Sequence, residues 1–479
     1  MTDIVTYKQF GAVGDGKTDD MQAICDAHAY ANEHNLPVAS DPDATYYIGG
    51  KDLTAIIKTS TNWSTSRFII DDSDVENRNS PIFRVPALYE AEPVAIESLV
   101  RSQKHIDLAV SHLSMVSVKD ETRRNYIRMG VNKGDGVFVS DTFLITPEGH
   151  VLNDIMWDFP IITKATIRRI EETPLTIKGG HFTTLVNQMP SFYTYYDRNI
   201  VINRSHVTVE GVTHRVEGEG EHGAPYAGFL SVSGCAYVTL LNCNLTGHKI
   251  FYTQGNGGMS PMGSYDIGLG SSAFVSLIGI TQVPEIMDST RWGLMGSNFC
   301  KDILLQNCEM SRFDAHMGVT NAKVISCKLG WQCVHAIGEG NFLVEDCEIF
   351  GGAMVSLRYD YGGHWDGTMT IRNSKWYPKG EHPSVLAGAN PGTHDFGYDC
   401  KMPHTVIIDG LHIVDTREGI KDIALLNNYS ETPHKNVPYP YQPPKKLQYG
   451  RIVCDSGREV APYRDEAYYE GMELIKIEE

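Results

Sequence analysis

Between residues 288 and 366 the sequence concentrates side-chain types that acid–base chemistry requires: Asp288, Asp314, His316, His335, Arg358, Asp360, His364 and Asp366. Hydrolysing a glycosidic bond takes one carboxyl group to protonate the leaving oxygen and a second carboxylate to activate water or attack carbon. Asp314 and Asp288 are the acid/base candidates, Asp360 is their substitute, and His316 and His335 orient or tune them. Elimination instead takes a base for the proton beside a uronate carboxylate and cations for the enolate. His316 or His335 would be that base, with Lys249 and Arg358 as the cations. Trp292 and Trp365 supply faces on which sugars stack, and His364 and Asp366 complete the substrate-binding set. At least three carboxylates in one patch tip the reading toward hydrolysis. His316, His335 and Asp288 also have the chemistry of metal ligands. A hydrogen-bonded Asp-His-His column is the simpler account, so no metal and no other cofactor is expected.

A repeat would bring these residues together. Asp302-Ile303-Leu304-Leu305-Gln306-Asn307-Cys308-Glu309, Ala322-Lys323-Val324-Ile325-Ser326-Cys327-Lys328 and Asn341-Phe342-Leu343-Val344-Glu345-Asp346-Cys347-Glu348 superimpose. Each is an apolar run closed by a small polar residue, a cysteine and a charged residue. A strand motif recurring about every 20 residues marks a stacked solenoid, because one coil cannot bury its own inward face. Cys308, Cys327 and Cys347 then form an inward ladder of small hydrophobes. Val238–Cys243 and Val275–Ile280 fit the template, Leu175–Gly180 and Val207–Gly211 fit it more loosely, and Met369–Ser374 and Thr405–Gly410 continue it.

The ladder also serves as a ruler. Eight residues beyond Ile280, Cys308 and Cys327 stand Asp288, His316 and His335; six beyond Cys243 and Cys308 stand Lys249 and Asp314. This counting places Asp288 one coil from His316, and His316 one coil from His335. Asp288 and Asp314 are then anchored roughly 8 Å apart, a spacing that favours inversion.

The predicted organisation is an N-terminal cap and first coil in 1–60, then irregular early coils in 61–169 with a β insertion at about 121–162. The solenoid body fills 170–425, and a proline-rich arm and C-terminal end fill 426–479. Forty-five glycines and 24 tyrosines in 479 residues suit a β-rich solenoid with many tight turns. A net charge of −18 argues against nucleic acid as a partner but leaves room for a basic cleft facing an acidic polysaccharide. No apolar run approaches membrane-spanning length, and Met1-Thr2-Asp3-Ile4 opens no secretion signal, so the chain as written reads as soluble and cytoplasmic; a removed signal would leave the same start. Ten cysteines without paired spacing read as free thiols. The aromatic run Ser191–Tyr196 reads as wall packing. Glu217–His222 reads as a solvated loop rather than a calcium site, since it lacks EF-hand spacing.

Near the N-terminus, Phe10-Gly11-Ala12-Val13-Gly14-Asp15-Gly16-Lys17-Thr18-Asp19-Asp20 leads into a helical pattern through Ile24, Ala27 and Ala31, with Thr18 or Asp19 as N-cap. The run lacks the Gly-Lys-Ser/Thr ending of a phosphate loop. It resembles the opening of pectate-lyase-like right-handed parallel β-helix proteins, in which the helix caps the first coil. With the repeats, the resemblance covers roughly residues 5–50 and 170–415. It implies an all-β solenoid, a right-handed parallel β-helix with an N-terminal capping helix and an inserted antiparallel subdomain. It also implies a carbohydrate polymer or oligosaccharide as partner, no nucleic acid or membrane, and the possibility of a homotrimer. The superfamily holds polysaccharide lyases, glycoside hydrolases and phage tailspikes. The polygalacturonase pattern of Asn-x-Asp, Asp-Asp and Gly-His-Gly is absent in that order. The expected function is therefore a glycoside hydrolase working in a groove on the helix face. The alternatives are a lyase with a histidine base and a non-catalytic, tailspike-like glycan binder.

Overall fold

The computed structural model describes residues 4–77, 79–130, 134–187, 196–221, 223–255, 258–428 and 437–478. His222, most of the aromatic run at 191–196 and the start of the proline-rich arm lie outside them. The chain forms two compact units, one from residues 1–90 and 169–296, the other from 91–168 and 297–479.

The first unit opens on the helix Met21–His34, which buries Met21, Ile24, Ala27, His28 and Ala31. Its N-cap is Asp20 rather than Thr18 or Asp19. The Asp20 carboxylate is occupied upstream, accepting the Val13 and Gly14 amides at 2.7 and 3.0 Å, so the glycine-rich run folds back onto the helix start. Inside the helix, His28 bonds the Tyr7 hydroxyl at 2.9 Å, and Trp63 donates its indole N–H to that same oxygen at 2.8 Å. Parallel strands then stack coil on coil. Thr61–Asp71 pairs with Leu175–Leu185, which pairs in turn with Val207–Glu210 and Thr213–Glu217. Val207–Glu210 continues onto Ala236–Leu241 and Ala273–Ile278. Within the part expected as irregular, Thr61–Asp71 and Phe83–Val85 pair with the stack, the former with two register shifts, and the chain leaves after Val85 and rejoins at Leu175.

The second unit stacks Lys301–Gln306, Phe313–Ile325, Val334–Glu345, Trp365–Pro378, Thr405–Ile413, Lys446–Cys454 and Glu473–Lys476 in parallel. The coils run past the expected limit at residue 425. Alternation puts Ile303, Ala322, Phe342, Met369, Val406 and Leu447 in one inward column, all buried. Burying each large aliphatic or aromatic member stabilises the fold by about 1.5–3 kcal/mol. Cys308, Cys327 and Cys347 form the expected inward ladder, each amide meeting the next sulfur at 3.4 Å, and Ser374 takes the following rung. Among the described residues all ten cysteines are free thiols.

The residue before each rung turns the corner of the coil in a left-handed conformation: Asn307 (φ 54°), Ser326 (52°), Asp346 (54°), Asn373 (47°), Gly410 (74°) and Arg451 (48°). This explains the small polar residue of the repeat, since Asn, Asp and Gly tolerate that conformation best. The same corner recurs in the first unit at Ser64, Gly179, Gly211, Asn242 and Gly279.

The inserted antiparallel sheet, expected at about 121–162, is larger. Its four strands are Glu92–Pro93, Ser114–Asn125, Val137–Ile145 and Lys164–Arg169. Val116, Val118, Phe143, Ile145, Ile155 and Phe159 give it a core of its own.

Candidate functional site

Two polar arrangements stand on the second unit. The first lies on the outward face of the stacked strands Phe313–Ile325, Val334–Glu345 and Ala353–Leu357, where Asp314 pairs in register with His335 and His335 with Ser356. Equal counting from the cysteines had set His316, not Asp314, beside His335. The turn at Trp331–Gln332 lengthens that loop, and the register moves by two residues.

Asp314 is fully buried and gripped by two guanidiniums, Arg312 at 3.0 Å and Arg358 at 3.2 Å. Burial opposes its charge, but Arg312 and Arg358 prevail and hold the carboxyl well below the usual range. Asp360 pairs with Arg358 at 3.1 Å and with Arg128, from the inserted sheet, at 2.7 Å, and is also held low against the effect of burial. Burial, with the Arg358 charge beside His316 and the Arg312 charge beside His335, pushes both histidines down to about 3. Both are therefore neutral imidazoles in ordinary solution. Their free nitrogens differ. Arg312 donates to His335 Nδ1 at 3.0 Å, occupying its lone pair. His316 Nδ1 meets the Asn298 side-chain oxygen at 2.7 Å, which makes Nδ1 the donor and leaves Nε2 as the basic nitrogen.

The second arrangement lines a polar cavity of about 220 Å³ bounded by Arg101, Ser102, Asp154, Thr320, Glu339, Asn341, Asp366 and His404. Thr320, Glu339 and Asp366 occupy one column on successive coils. Arg101 of the insert spans the two carboxyls, reaching Glu339 at 2.8 Å and Asp366 at 2.6 Å. Lys401 adds a second ion pair to Asp366 at 2.9 Å. Burial raises Glu339 to about 8, outweighing the Arg101 charge. Burial also acts on Asp366, but hydrogen bonds from Lys401 and Arg101 overcome it and hold this carboxyl at about 2. Burial thus favours the acid form of Glu339 despite its contact with Arg101, and ion pairs favour the carboxylate of Asp366.

The remaining sequence candidates are dispersed. Asp288, Lys249 and Trp292 belong to the first unit. Asp288 lies in a turn rather than on a strand, bonded to Thr290 and 3.6 Å from Arg291. Lys249 presents its amide to Glu219, which Arg291 holds at 2.9 Å, so Glu219 of the charged glycine loop is neutralised by arginine. Trp292 packs against Gly263 so closely that a Cβ there would fall 1.7 Å from the ring. Trp365, expected as a sugar-stacking wall, is instead fully buried in the coil, its indole N–H donating to the Gly340 carbonyl at 3.0 Å. His364 is buried, accepts the Lys401 amide at 3.0 Å, and is pushed down to about 3 by its burial. Sequence reasoning missed Glu339, Arg101, Lys401, Arg128, Arg312 and Asn298. Of these, Glu339 carried a signal, an acid between two glycines on the repeat.

No protein-family model matches the sequence, and no curated protein matches it. Among solved structures, the tailspike gp61 of Pseudomonas phage phi297 aligns with a TM-score of 0.58 at 12% identity, over 99% of this chain and 84% of that one. The tailspike gp49 of Pseudomonas phage LKA1 aligns at 0.55 and 13% identity, over 94% and 81%. The Gp54 tailspike of Acinetobacter baumannii bacteriophage AP22, solved in complex with capsular saccharide, aligns at 0.53 and 8% identity, over 99% and 79%. At such identities the likeness is one of fold: the chain is a right-handed parallel β-helix.

Proposed function

We propose that the protein binds a polysaccharide on its β-helix face and hydrolyses a glycosidic bond at Glu339 and Asp366. The observation that carries this reading is the pairing of these two carboxyls on adjacent coils of one polar cavity, with opposite proton affinities. Environments that drive two neighbouring carboxyls apart in this way separate an acid from a base or nucleophile. Glu339, protonated, donates to the leaving oxygen; Asp366, ionised, attacks the anomeric carbon. Glu339, now a carboxylate, then takes a proton from the water that releases the sugar from Asp366. Register-paired residues on neighbouring strands are anchored about 4.8 Å apart, which suits retention rather than the inversion inferred for Asp288 and Asp314. Arg101, whose side chain is 37% exposed, bridges both carboxyls, so this reading requires it to give way when a substrate enters. A capsular saccharide on one tailspike of this fold is consistent with such a substrate class.

A second reading rests on His316. A neutral imidazole with Nδ1 anchored on Asn298 and Arg358 nearby is poised as the base of a β-elimination on a uronate. Incubation with plant, algal and bacterial glycans separates the readings. Hydrolysis releases reducing ends without ultraviolet absorbance, elimination releases both, and a tailspike-like binder retains glycan and releases neither. Glu339→Gln is expected to slow hydrolysis by about 10²–10⁴-fold. Unchanged release of reducing ends by Glu339→Gln and by Asp366→Asn would sink the assignment.

A further inference from the structure

Away from the carbohydrate site, the interior of the first unit holds His214, His248 and Asp266, whose ligand-competent atoms all lie within 4.8 Å of one another. None of the three is more than 2% exposed. His214 Nδ1 lies 2.8 Å from both Asp266 oxygens, and His248 Nε2 lies 2.8 Å from Oδ1. The far nitrogen of His214 meets the Thr184 hydroxyl at 2.9 Å, and the Thr246 amide donates to Asp266 Oδ2 at 3.0 Å. His248 Nδ1 is buried without a partner.

We propose that His214, His248 and Asp266 form a structural site for a divalent cation of the zinc class. Two imidazole nitrogens and two carboxylate oxygens complete a four-coordinate shell without water, which is the closed form of a structural site. Ring nitrogens that bind metal keep their other N–H on a hydroxyl, carbonyl or carboxylate. Thr184 serves that purpose for His214, while the outer nitrogen of His248 is buried without such a partner. With His214 Nε2–H donated to Thr184, its Nδ1 lone pair faces the lone pairs of Asp266, and a cation between them removes the repulsion. The donors open by a few tenths of an ångström to admit an ion at about 2.0–2.1 Å from nitrogen. Complete burial leaves no coordination position for water, oxygen or substrate, which separates this site from the open two-histidine, one-carboxylate centres that do iron chemistry. Any proton on His248 is released on binding.

The test is elemental analysis of the full chain purified from zinc-supplemented medium, with thermal unfolding before and after chelation and after zinc is restored. One equivalent of zinc per chain, a Tm that falls with chelator and recovers with zinc, and a tetrahedral cobalt(II) spectrum after exchange are expected. His248→Gln should abolish the metal and the cobalt spectrum. Should that variant fail to fold, the metal content and chelator response of the unaltered protein still decide. Less than a tenth of an equivalent, with a Tm indifferent to chelator and zinc, would overturn the site and leave a hydrogen-bonded triad.

Discussion

Glu339 and Asp366 differ in one methylene, yet burial rules one and ion pairs rule the other. Because Glu339 sits at about 8 and must be protonated to act, hydrolysis is expected to hold through neutral pH and decline as the pH rises through 8. Asp366, held at about 2, stays ionised across that range, so no acid-side loss is expected until the pH approaches 2. A pH profile of kcat/KM, which reports the free enzyme, checks this, and a decline centred near 4.5 instead would refute the role of Glu339. The sign for stability runs the same way. The raised Glu339 favours the folded state below its unfolded value, an advantage lost as the pH climbs to 8; the depressed Asp366 favours it above its unfolded value and loses that as the pH falls toward 2. Asp314 presents a different case. It is wholly inaccessible and balances Arg312 and Arg358, so Asp314→Asn is expected to cost about 3–5 kcal/mol, read as a drop in the denaturation midpoint. A midpoint unchanged within error would show that the pairing carries no stability. Among the sequence candidates, Asp314, His316 and His335 were grouped because they recur on a repeat, and Arg358 and Asp360 because the lengthened loop of the next coil carries them. Their arginine partners Arg312 and Arg128 were not, since nothing in a sequence says which guanidinium reaches which carboxylate.

At the scale of the strand and the loop, the cavity exists because two glycines let neighbouring coils approach. A Cβ on Gly367 would meet the Gly340 carbonyl oxygen at 2.0 Å and the Gly340 carbonyl carbon and nitrogen at 2.7 Å. Gly367→Ala is therefore expected to destabilise the protein by about 1–3 kcal/mol and to displace Asp366 with it. A lowered Tm with a matching loss of turnover is the expected result; an unchanged Tm would mean the coils separate freely there. The inserted sheet was only half legible. Val137–Ile145 alternates as a strand should, but Ser114–Asn125 ends in Lys119-Asp120-Glu121-Thr122-Arg123-Arg124, a charged run that reads as a loop. That strand matters because Arg101 and Arg128, on the same insert, bring cations to the two arrangements of carboxylates. The histidine register failed for a related reason, since equal counting assumes loops of equal length and the turn at Trp331–Gln332 breaks the assumption.

For the chain as a whole, the parallel β-helix was readable because the three cysteine-bearing lines repeat a burial pattern that only stacking satisfies, and their pairing follows the expected alignment. The extent of the stack was less readable. Thr61–Asp71 near the start and Lys446–Cys454, one strand before the end of the stack, carry the inward alternation without a cysteine at the position that Cys308, Cys327 and Cys347 mark. The left-handed corners have a further consequence. Successive corners at Asn307, Ser326, Asp346, Asn373, Gly410 and Arg451 grow steadily farther apart along the chain, yet the strands entering and leaving each corner keep their pairing. Length is thus added at the two other turns of each coil, while the corner acts as a fixed origin. Such a scaffold accepts insertions and recombination of whole loops without renumbering its core, so the loop surface can diversify while the interior stays constant.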